Sequence, residues 1–237
     1  MTNHPARGTL FVVSTPIGNL EDVTARALRT LREADLIAAE DTRHTGRLLG
    51  HFGIAQRVES YHDHNKEKKT PGLIGRLISG KNVVLVSDAG TPGISDPAFY
   101  LVRAAVREEI PVVPIPGPSA AIAALVISGL PTDRFVFEGF LPAKKGRKTR
   151  IRELSEERRT LILFEAPHRI IRTLGELLAE FGDRPAAVCR ELTKKFEEVR
   201  RGTLSSLLEG YQTLKPKGEY VLIVHGKEKE SHAERHT

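Results

Sequence analysis

Short runs of apolar and often β-branched residues recur along the chain, separated by stretches in which apolar residues return every three or four positions. The runs indicate buried strands, and the longer period indicates helices that pack on a sheet. This alternation predicts an α/β fold with a parallel or mainly parallel sheet. The eight predicted strands, enough for two sheets, span residues 10–14, 36–39, 83–87, 112–115, 135–139, 161–165, 186–190 and 220–225.

Helix-start signals accompany the longer-period stretches. In residues 24–35 the apolar positions fall on one helical face, and Thr24 or Asp22 is able to cap the first turn. Thr70 and Pro71 predict a second helix with Thr70 as its cap, because proline is favoured at the first helical position. A third helix is predicted by the same pattern in "SDPAFYLVRAAVREE".

A proline-rich stretch, "PVVPIPGPSA", divides the chain into halves of similar size. Because such a stretch forms a stiff connection, it predicts a domain boundary near Gly117. The predicted organisation is an N-terminal α/β domain over residues 1–117 and a C-terminal α/β domain over residues 118–226. Residues 227–237 are charged and lack an apolar period, so we expect a disordered tail there.

Composition narrows the class of protein. A single cysteine, Cys189, excludes an internal disulfide framework and thiol-based metal sites. The longest apolar run, residues 120–127, is too short to span a bilayer, and the N-terminus does not resemble a signal peptide. We therefore expect a cytoplasmic protein with no membrane partner. The formal net charge of +6 favours polyanionic partners, although many proteins with that charge have none.

Four loops follow predicted strands directly, and ligands of open α/β sheets collect at such positions. Their sequences are "STPIGNLED", "EDTRHTGR", "SDAGTPGISDP" and "PGPSA". In the third loop, Asp96 and Pro97 are explained by a helix start, whereas Asp88 is a carboxylate that no turn requires. The glycines Gly90 and Gly93 permit positive φ or a close approach of a ligand to the backbone.

The chemistry of these loops argues against a phosphate ligand. Neither the P-loop spacing nor G-x-G-x-x-G occurs in them, and carboxylates at strand ends repel phosphate. Hydroxyls and a positive charge, as in a nucleoside that carries an ammonium or sulfonium group, would suit them. The residues alone leave a rigid structural turn as an equal alternative to a ligand site.

Several long motifs, in order, closely resemble the bacterial ribosomal RNA small subunit methyltransferase I family of the tetrapyrrole methylase superfamily. They include "VVSTPIGNLEDVTARALRTLREADLIAAEDTRHTGRLL", "VVLVSDAGTPGISDPAFYLV", "PIPGPSAAIAAL", "FVFEGFLP", "LILFEAPHRI" and "CRELTKKFEEVRRGTL", and together they cover almost the whole chain. Many members continue past the final strand into a small helical region, whereas the printed sequence ends at Thr237. RNA contacts of such a region are not carried over to this chain.

The resemblance implies two α/β domains, a homodimer, and S-adenosyl-L-methionine bound in the cleft between domains. It also implies 2'-O-methylation of a cytidine in the decoding region of small-subunit (16S) rRNA, free or in the assembled 30S subunit. The cofactor contacts that it implies, together with Asp88 from the loop chemistry, are Pro16, Asp88, Ala89, Gly90, Thr91, Ile94, Ser119, Ala120, Phe140, Glu165 and Ala166.

Removal of the proton from a ribose hydroxyl needs a base or a nearby cation. The candidate catalytic residues are Glu40, Asp41 and Arg43 of the second loop and Glu165 of "EAPHR". The alternative for Asp41 is a helix cap, and for Arg43 it is an ion pair with a neighbouring carboxylate. The histidines have no spacing typical of a metal site, so we expect no metal.

Two basic stretches of the second half, "KKGRKTRIR" and "LTKKFEEVRRG", are candidates for RNA contact. Aromatic residues make up only 5% of the chain, so we expect phosphate contacts and shape readout rather than base stacking. A solvated helix face is the alternative for the first stretch. The candidate RNA-binding residues are Lys144, Lys145, Arg147, Lys148, Lys194 and Lys195.

Two other functions fit the same fold. A tetrapyrrole methyltransferase shares the cofactor architecture, but the basic cluster and the "TPIGN" loop argue against it. A non-catalytic RNA-binding or nucleoside-sensing protein would keep the cofactor site without methyl transfer.

Overall fold

The computed structural model describes residues 7–228. They form two compact units, the first ending at Ser119 and the second beginning at Ala120. The predicted boundary near Gly117 lies in the same proline-rich segment. Residues 229–237, most of the predicted tail, lie outside the described residues.

The first unit contains one parallel sheet with the strand order β3-β2-β4-β1-β5. This confirms the predicted α/β class and the parallel pairing for this half. Its elements are β1 (Leu10–Val13), a short 3-10 helix (Leu20–Asp22), α1 (Ala25–Glu33), β2 (Leu36–Ala39), α2 (Thr42–His51), β3 (Val58–Ser60), α3 (Lys66–Ile78), β4 (Val83–Val86), α4 (Ala98–Arg107) and β5 (Val112–Ile115).

The central strand β4 is buried along its whole length because helices cover both faces of the sheet. Val83 and Leu85 pack into a cluster with side chains of α3 and α4. Val84 and Val86 face the other way and pack with side chains of α1 and α2. This two-sided burial explains why the strand is uninterruptedly apolar, and it fixes where the loop that follows β4 emerges.

Two helix starts differ in how well the sequence predicted them. Thr24 caps α1, and its Oγ1 accepts a hydrogen bond from the amide of Ala27, as predicted. The predicted start at Thr70 is wrong, because α3 already begins at Lys66. Thr70 is buried inside that helix, where its hydroxyl donates to the carbonyl of Lys66 at 2.7 Å, and Pro71 is internal.

The second unit contains a mixed sheet with the strand order β6-β7-β10-β8-β9. Only β6 and β7 pair in parallel, and the other neighbours are antiparallel, so the mainly parallel pattern holds for the first sheet alone. Its elements are α5 (Ala120–Ile127), β6 (Phe135–Phe140), α6 (Arg147–Ser155), β7 (Thr160–Glu165), α7 (Ile170–Phe181), β8 (Pro185–Arg190), β9 (Glu198–Thr203), α8 (Leu204–Gln212) and β10 (Tyr220–Val224).

Candidate functional site

The loops that follow β1, β4 and β5 meet at the carboxyl edge of the first sheet. The amide of Thr15 donates to the carbonyl of Gly90 at 2.9 Å, and the amide of Gly90 returns a bond of 3.0 Å to Thr15. The hydroxyl of Thr91 donates to the carbonyl of Pro118 at 3.2 Å, which leaves the Ser14 hydroxyl as the donor in its 2.9 Å contact with Thr91 Oγ1. These bonds hold the three loops as one structure.

Two glycines make this close approach possible. Gly90 has a φ of +76°, and a Cβ placed there would lie 3.3 Å from Cγ2 of Ile17. A Cβ at Gly117 would lie 2.9 Å from Cβ of Ser14, which is closer than carbon atoms pack. The conformation at Gly90 also disfavours any residue with a side chain. The loops therefore depend on glycine at both positions.

An acidic pair lies on the other side of the β4 loop. The amide of Asp41 donates to Oδ1 of Asp88 at 2.8 Å, and the amide of Asp88 donates to Oε2 of Glu40 at 3.4 Å. Burial raises the pKa of Glu40 above its ordinary value, and the negative charge of Asp88 raises it further. Glu40 is thereby a better proton acceptor at neutral pH than an ordinary exposed carboxylate.

Asp41 and Arg43 pair with each other. Asp41 caps α2 by accepting the amide of Arg43 at 2.8 Å, and its carboxylate also accepts two bonds from the Arg43 guanidinium. These contacts lower the pKa of Asp41. Such a carboxylate is a poor base. The cap and the ion pair that the sequence left as alternatives are both present, and the Arg43 side chain is 84% exposed.

The remaining predicted residues of the first unit surround these loops. Pro16 is buried beside Thr15, whereas Ala89 and Ile94 are exposed. Ser119 is half-buried at the end of the unit. The edge therefore presents hydroxyls, carboxylates and backbone groups, a set that suits a ligand with sugar hydroxyls and a positive charge.

Glu165 of the second unit is buried in a network of its own. Its Oε2 accepts a 2.6 Å hydrogen bond from the Thr173 hydroxyl, and its Oε1 accepts the amide of Ala166 at 2.8 Å. Nε of Arg169 lies 2.7 Å from Oε1, and the Arg147 guanidinium lies 3.8 Å from Oε2. Since its charge is already compensated on both oxygens, the surroundings of Glu165 favour a structural role over proton transfer.

The other predicted cofactor contacts of the second unit lie near the network around Glu165 or at the start of α5. Phe140, at the end of β6, is 53% exposed, and its ring centroid is 6.0 Å from the Arg169 guanidinium. Ala166 is half-buried, and its amide is engaged by Glu165. Ala120 is the first residue of α5. Their predicted role as cofactor contacts stays a prediction.

Arg147 does not belong to an RNA-binding surface, contrary to the prediction. Its side chain is only 2% exposed. The guanidinium donates to Glu176 at 2.7 Å, to the Thr173 hydroxyl at 2.7 Å and to the carbonyl of Pro142 at 3.2 Å. These partners come from elements that a charge run in the sequence does not identify, so the arginine was counted with its exposed neighbours.

The other cations of the candidate RNA surface fall into two groups. Lys144, Lys145 and Lys148 are exposed around the start of α6, and Lys195 is exposed next to Phe196. Lys194 instead pairs with Glu191 at 3.0 Å and Glu219 at 2.9 Å. A phosphate would have to compete with those carboxylates. The surface open to an anion is therefore formed by the first group.

Two contributors to the loop structure were not predicted from the sequence. The hydroxyl of Ser14 and the carbonyl of Pro118 both bind Thr91, yet neither was predicted as a site residue. A polar residue at the end of an otherwise apolar strand was the available signal for Ser14. The sequence gives no comparable signal for the carbonyl.

Residues 7–228 contain neither a cluster of metal ligands nor a membrane-length apolar helix. No three His, Cys, Asp or Glu side chains in that part of the chain are grouped so that they could bind a metal ion. None of its helices has the length and apolar character needed to cross a membrane.

Comparisons with known proteins give consistent matches. Residues 9–208 match the family model described as Tetrapyrrole (Corrin/Porphyrin) Methylases. The chain is 54% identical over 221 residues to "Ribosomal RNA small subunit methyltransferase I" of Halalkalibacterium halodurans, covering 93% of this chain and 76% of that protein. It is 53% identical to the protein of the same name from Synechocystis, covering 92% and 79%.

A solved structure shares the fold. Uroporphyrin-III C-methyl transferase from Thermus thermophilus, in complex with S-adenyl homocysteine, matches with a TM-score of 0.62 and 22% sequence identity. The match covers 92% of this chain and 97% of that one.

Proposed function

The chain belongs to the tetrapyrrole methylase family and, within it, to the ribosomal RNA small subunit methyltransferase I proteins, and we propose that it methylates the 2'-hydroxyl of a cytidine in the decoding region of small-subunit rRNA. The methyl donor in this proposal is S-adenosylmethionine. The structural observation that carries the proposal is the loop from Asp88 to Thr91, which is bonded to the loops on both sides at the carboxyl edge of the first sheet.

The residues of this edge fit the donor. S-adenosylmethionine supplies a methyl group on a positively charged sulfur and carries ribose hydroxyls that donate hydrogen bonds. The carboxylate of Asp88 suits both features, and Gly90 presents backbone without a Cβ. The relative from Thermus thermophilus, which has the same fold, was solved with S-adenyl homocysteine. Predicted contacts from the second unit, such as Phe140 and Ala166, remain part of the proposal.

Alignment is the main task of the protein in such a transfer. Holding the ribose hydroxyl in line with the methyl carbon contributes up to roughly 7–11 kcal/mol. Glu40 is our proposed proton acceptor, because its pKa is raised while that of Asp41 is lowered. The proton of the attacking hydroxyl would pass to the Glu40 carboxylate as the oxygen–carbon bond forms and the sulfur–carbon bond breaks, with S-adenosylhomocysteine leaving as a neutral thioether. Asp41 and Arg43 would hold the loop that carries Glu40.

The partner in this proposal is rRNA, bound through its phosphates. The names of the relatives support it, and so do the exposed lysines Lys144, Lys145, Lys148 and Lys195 of the second unit. We propose in addition that the protein is a cytoplasmic homodimer, as the family resemblance implies. Sedimentation of the purified protein tests the oligomeric state.

The reaction itself is tested with methyl-labelled S-adenosylmethionine. The protein is incubated with hypomethylated 30S subunits and, separately, with free 16S rRNA, and the RNA is digested to nucleosides. Label should appear in 2'-O-methylcytidine and should be lost with the Glu40→Gln variant. Label on a base, or no label with either substrate, would contradict the proposal.

A further inference from the structure

A cavity of about 270 Å³ lies in the first unit directly beyond the Asp88–Thr91 loop. One wall is the start of α4, and the other is the turn that leads into α3. Its lining includes Asp63, Lys66, Ser95, Asp96, Phe99 and Tyr100. None of these residues is among those assigned above to cofactor, catalysis or RNA.

Two exposed aromatic rings dominate this cavity. Phe99 is 65% exposed and Tyr100 is 40% exposed, although both lie in the first turn of a helix whose other face is packed in the core. The ammonium of Lys66 lies 5.9 Å from the centroid of the Tyr100 ring. Flat, exposed rings beside a cation are the features on which nucleic-acid bases stack.

The charges of the cavity favour a base over a phosphate. Asp63 pairs with Lys66 at 2.8 Å, and Asp96 contributes a second carboxylate for this single ammonium. The lining therefore has a formal charge of −1, which disfavours a phosphate group. A carboxylate accepts a hydrogen bond from an exocyclic amino group, such as N4 of cytosine.

The cavity adjoins the loop at which we place the methyl donor, because the amide of Ile94 donates to the carbonyl of Thr91 at 3.3 Å. Both oxygens of the Asp96 carboxylate accept the amide of Gly93, at 2.8 and 2.9 Å, and Oδ1 also accepts the amide of Ala98. Ser95, between them, has a positive φ of 67°, so the chain turns sharply at this point. A base held in the cavity would thus lie at a fixed distance from the donor loop.

We propose that this cavity binds one base of the RNA substrate, a neighbour of the methylated nucleotide, and that the base carries an amino group. The ring stacks on Tyr100 and Phe99, and the amino group donates to the Asp63 carboxylate. This assignment rests on the proposed function. It names the class of base that the protein selects, and it differs from the expectation, drawn from the 5% aromatic content, of phosphate contacts and shape readout rather than base stacking.

A second copy of the chain is the competing occupant of an exposed aromatic surface. The cavity itself argues against it, because aspartate and lysine are depleted in the cores of protein interfaces. The exposed face of α4 also continues from Phe99 to the exposed Arg103, one turn further along. Two rings followed by a cation suit a nucleic acid better than an apolar contact between copies, although Val106 is also exposed further along the helix.

The test measures binding of short single-stranded RNAs to the full chain. Phe99→Leu and Tyr100→Leu should each weaken binding of oligocytidylate by about tenfold, whereas Tyr100→Phe should keep the wild-type affinity. The wild type should prefer oligocytidylate to oligouridylate, and Asp63→Asn should remove that preference. Val106→Ala, which truncates an exposed apolar residue of the same helix outside the cavity, is the matched control.

Other outcomes would overturn the assignment. Unchanged affinity in both leucine variants would do so, as would a lower sedimentation coefficient in them, which would place the rings between two copies. The methyl-transfer assay separates this failure from failure of the proposed function. An active wild type whose leucine variants bind RNA normally refutes only the base site, whereas an inactive wild type whose leucine variants bind RNA weakly refutes only the methylation.

Discussion

The backbone amide of Asp41 donates a 2.8 Å hydrogen bond to Oδ1 of Asp88, which ties the loop after β2 to the loop after β4. The neighbouring residue, Glu40, accepts the amide of Asp88 in return. Two carboxylates from distant parts of the chain are thereby held close together. Burial and the charge of Asp88 both raise the pKa of Glu40, so the proton affinity of this group depends on the contact between the loops.

The first prediction concerns the pH dependence of methyl transfer. Glu40 accepts a proton only when it is ionised, so activity should be lost as the pH falls through its raised pKa. Asp88→Asn keeps the oxygen that binds the Asp41 amide but removes the negative charge. The pKa of Glu40 should fall, and the acid limb of the kcat/KM profile should move to lower pH. An acid limb that stays in place would exclude Glu40 as the titrating base.

Glu40→Gln provides the control for that experiment. A carboxylate whose folded pKa is raised contributes stability only while protonated, and that contribution is lost as pH rises through the raised pKa. Replacing it with neutral glutamine should therefore leave the melting temperature at neutral pH unchanged or higher. Activity should fall by about 10²–10⁴-fold, a typical contribution of a general base. Calorimetric affinity for the cofactor should change little.

A second prediction separates backbone strain from crowding at the cofactor loop. Gly90 and Gly93 both have positive φ, and alanine at either should cost about 1–2 kcal/mol of strain. A new Cβ has no neighbour within 4 Å at Gly93 but contacts Ile17 at Gly90. Gly90→Ala should therefore weaken the calorimetric affinity for S-adenosylmethionine much more than Gly93→Ala. Equal losses would place the donor elsewhere.

The sequence predicted best what burial determines. Strands β2 and β5 were predicted with their observed bounds, because both are fully apolar runs between turn signals, although only β2 lies inside the sheet and β5 lies at its edge. Strands β3 and β9 also lie at sheet edges and were missed, because polar residues interrupt their apolar positions, as Glu198, Arg200 and Arg201 do in β9. A strand whose residues are partly exposed can carry polar side chains, so its sequence shows only a weak apolar pattern.

The site divides in the same way. Asp88 and Gly90 were predicted as site residues because they follow a buried strand directly, where open α/β sheets bind ligands, and that role stays a prediction. The buried position of Arg147 was not predictable, since its partners Thr173 and Glu176 come from α7 and only the tertiary structure brings them near. Thr70 was also predicted as a helix start, because nothing in the neighbouring residues indicated that the helix begins one turn earlier, at Lys66.

A third prediction tests the buried network around Glu165. Arg147→Ala leaves the Glu165 carboxylate with one cation fewer and Glu176 without a close partner in the interior. Loss of one partner of a buried pair costs about 3–5 kcal/mol, which chemical denaturation should detect. Arg152→Ala, an exposed position of the same helix, should change the free energy of unfolding by less than about 0.5 kcal/mol. Similar losses in the two variants would contradict the buried assignment of Arg147.

The fourth prediction concerns the exposed lysines at the start of α6. Lys144, Lys145 and Lys148 are exposed, and in the described residues no carboxylate lies within ion-pairing distance of them, so a phosphate meets no competitor there. Each phosphate neutralised on single-stranded RNA contributes about 0.7 to the slope of log K against log salt. Glutamine at all three positions should therefore reduce that slope by up to about 2 while cofactor affinity stays normal.

Glutamine at the exposed Lys215 and Lys217 of the same unit should leave the slope unchanged. Arg147 is kept in every variant because its loss would destabilise the fold and obscure the change in binding. A slope that the three substitutions do not alter would show that the RNA lies on another face of the unit.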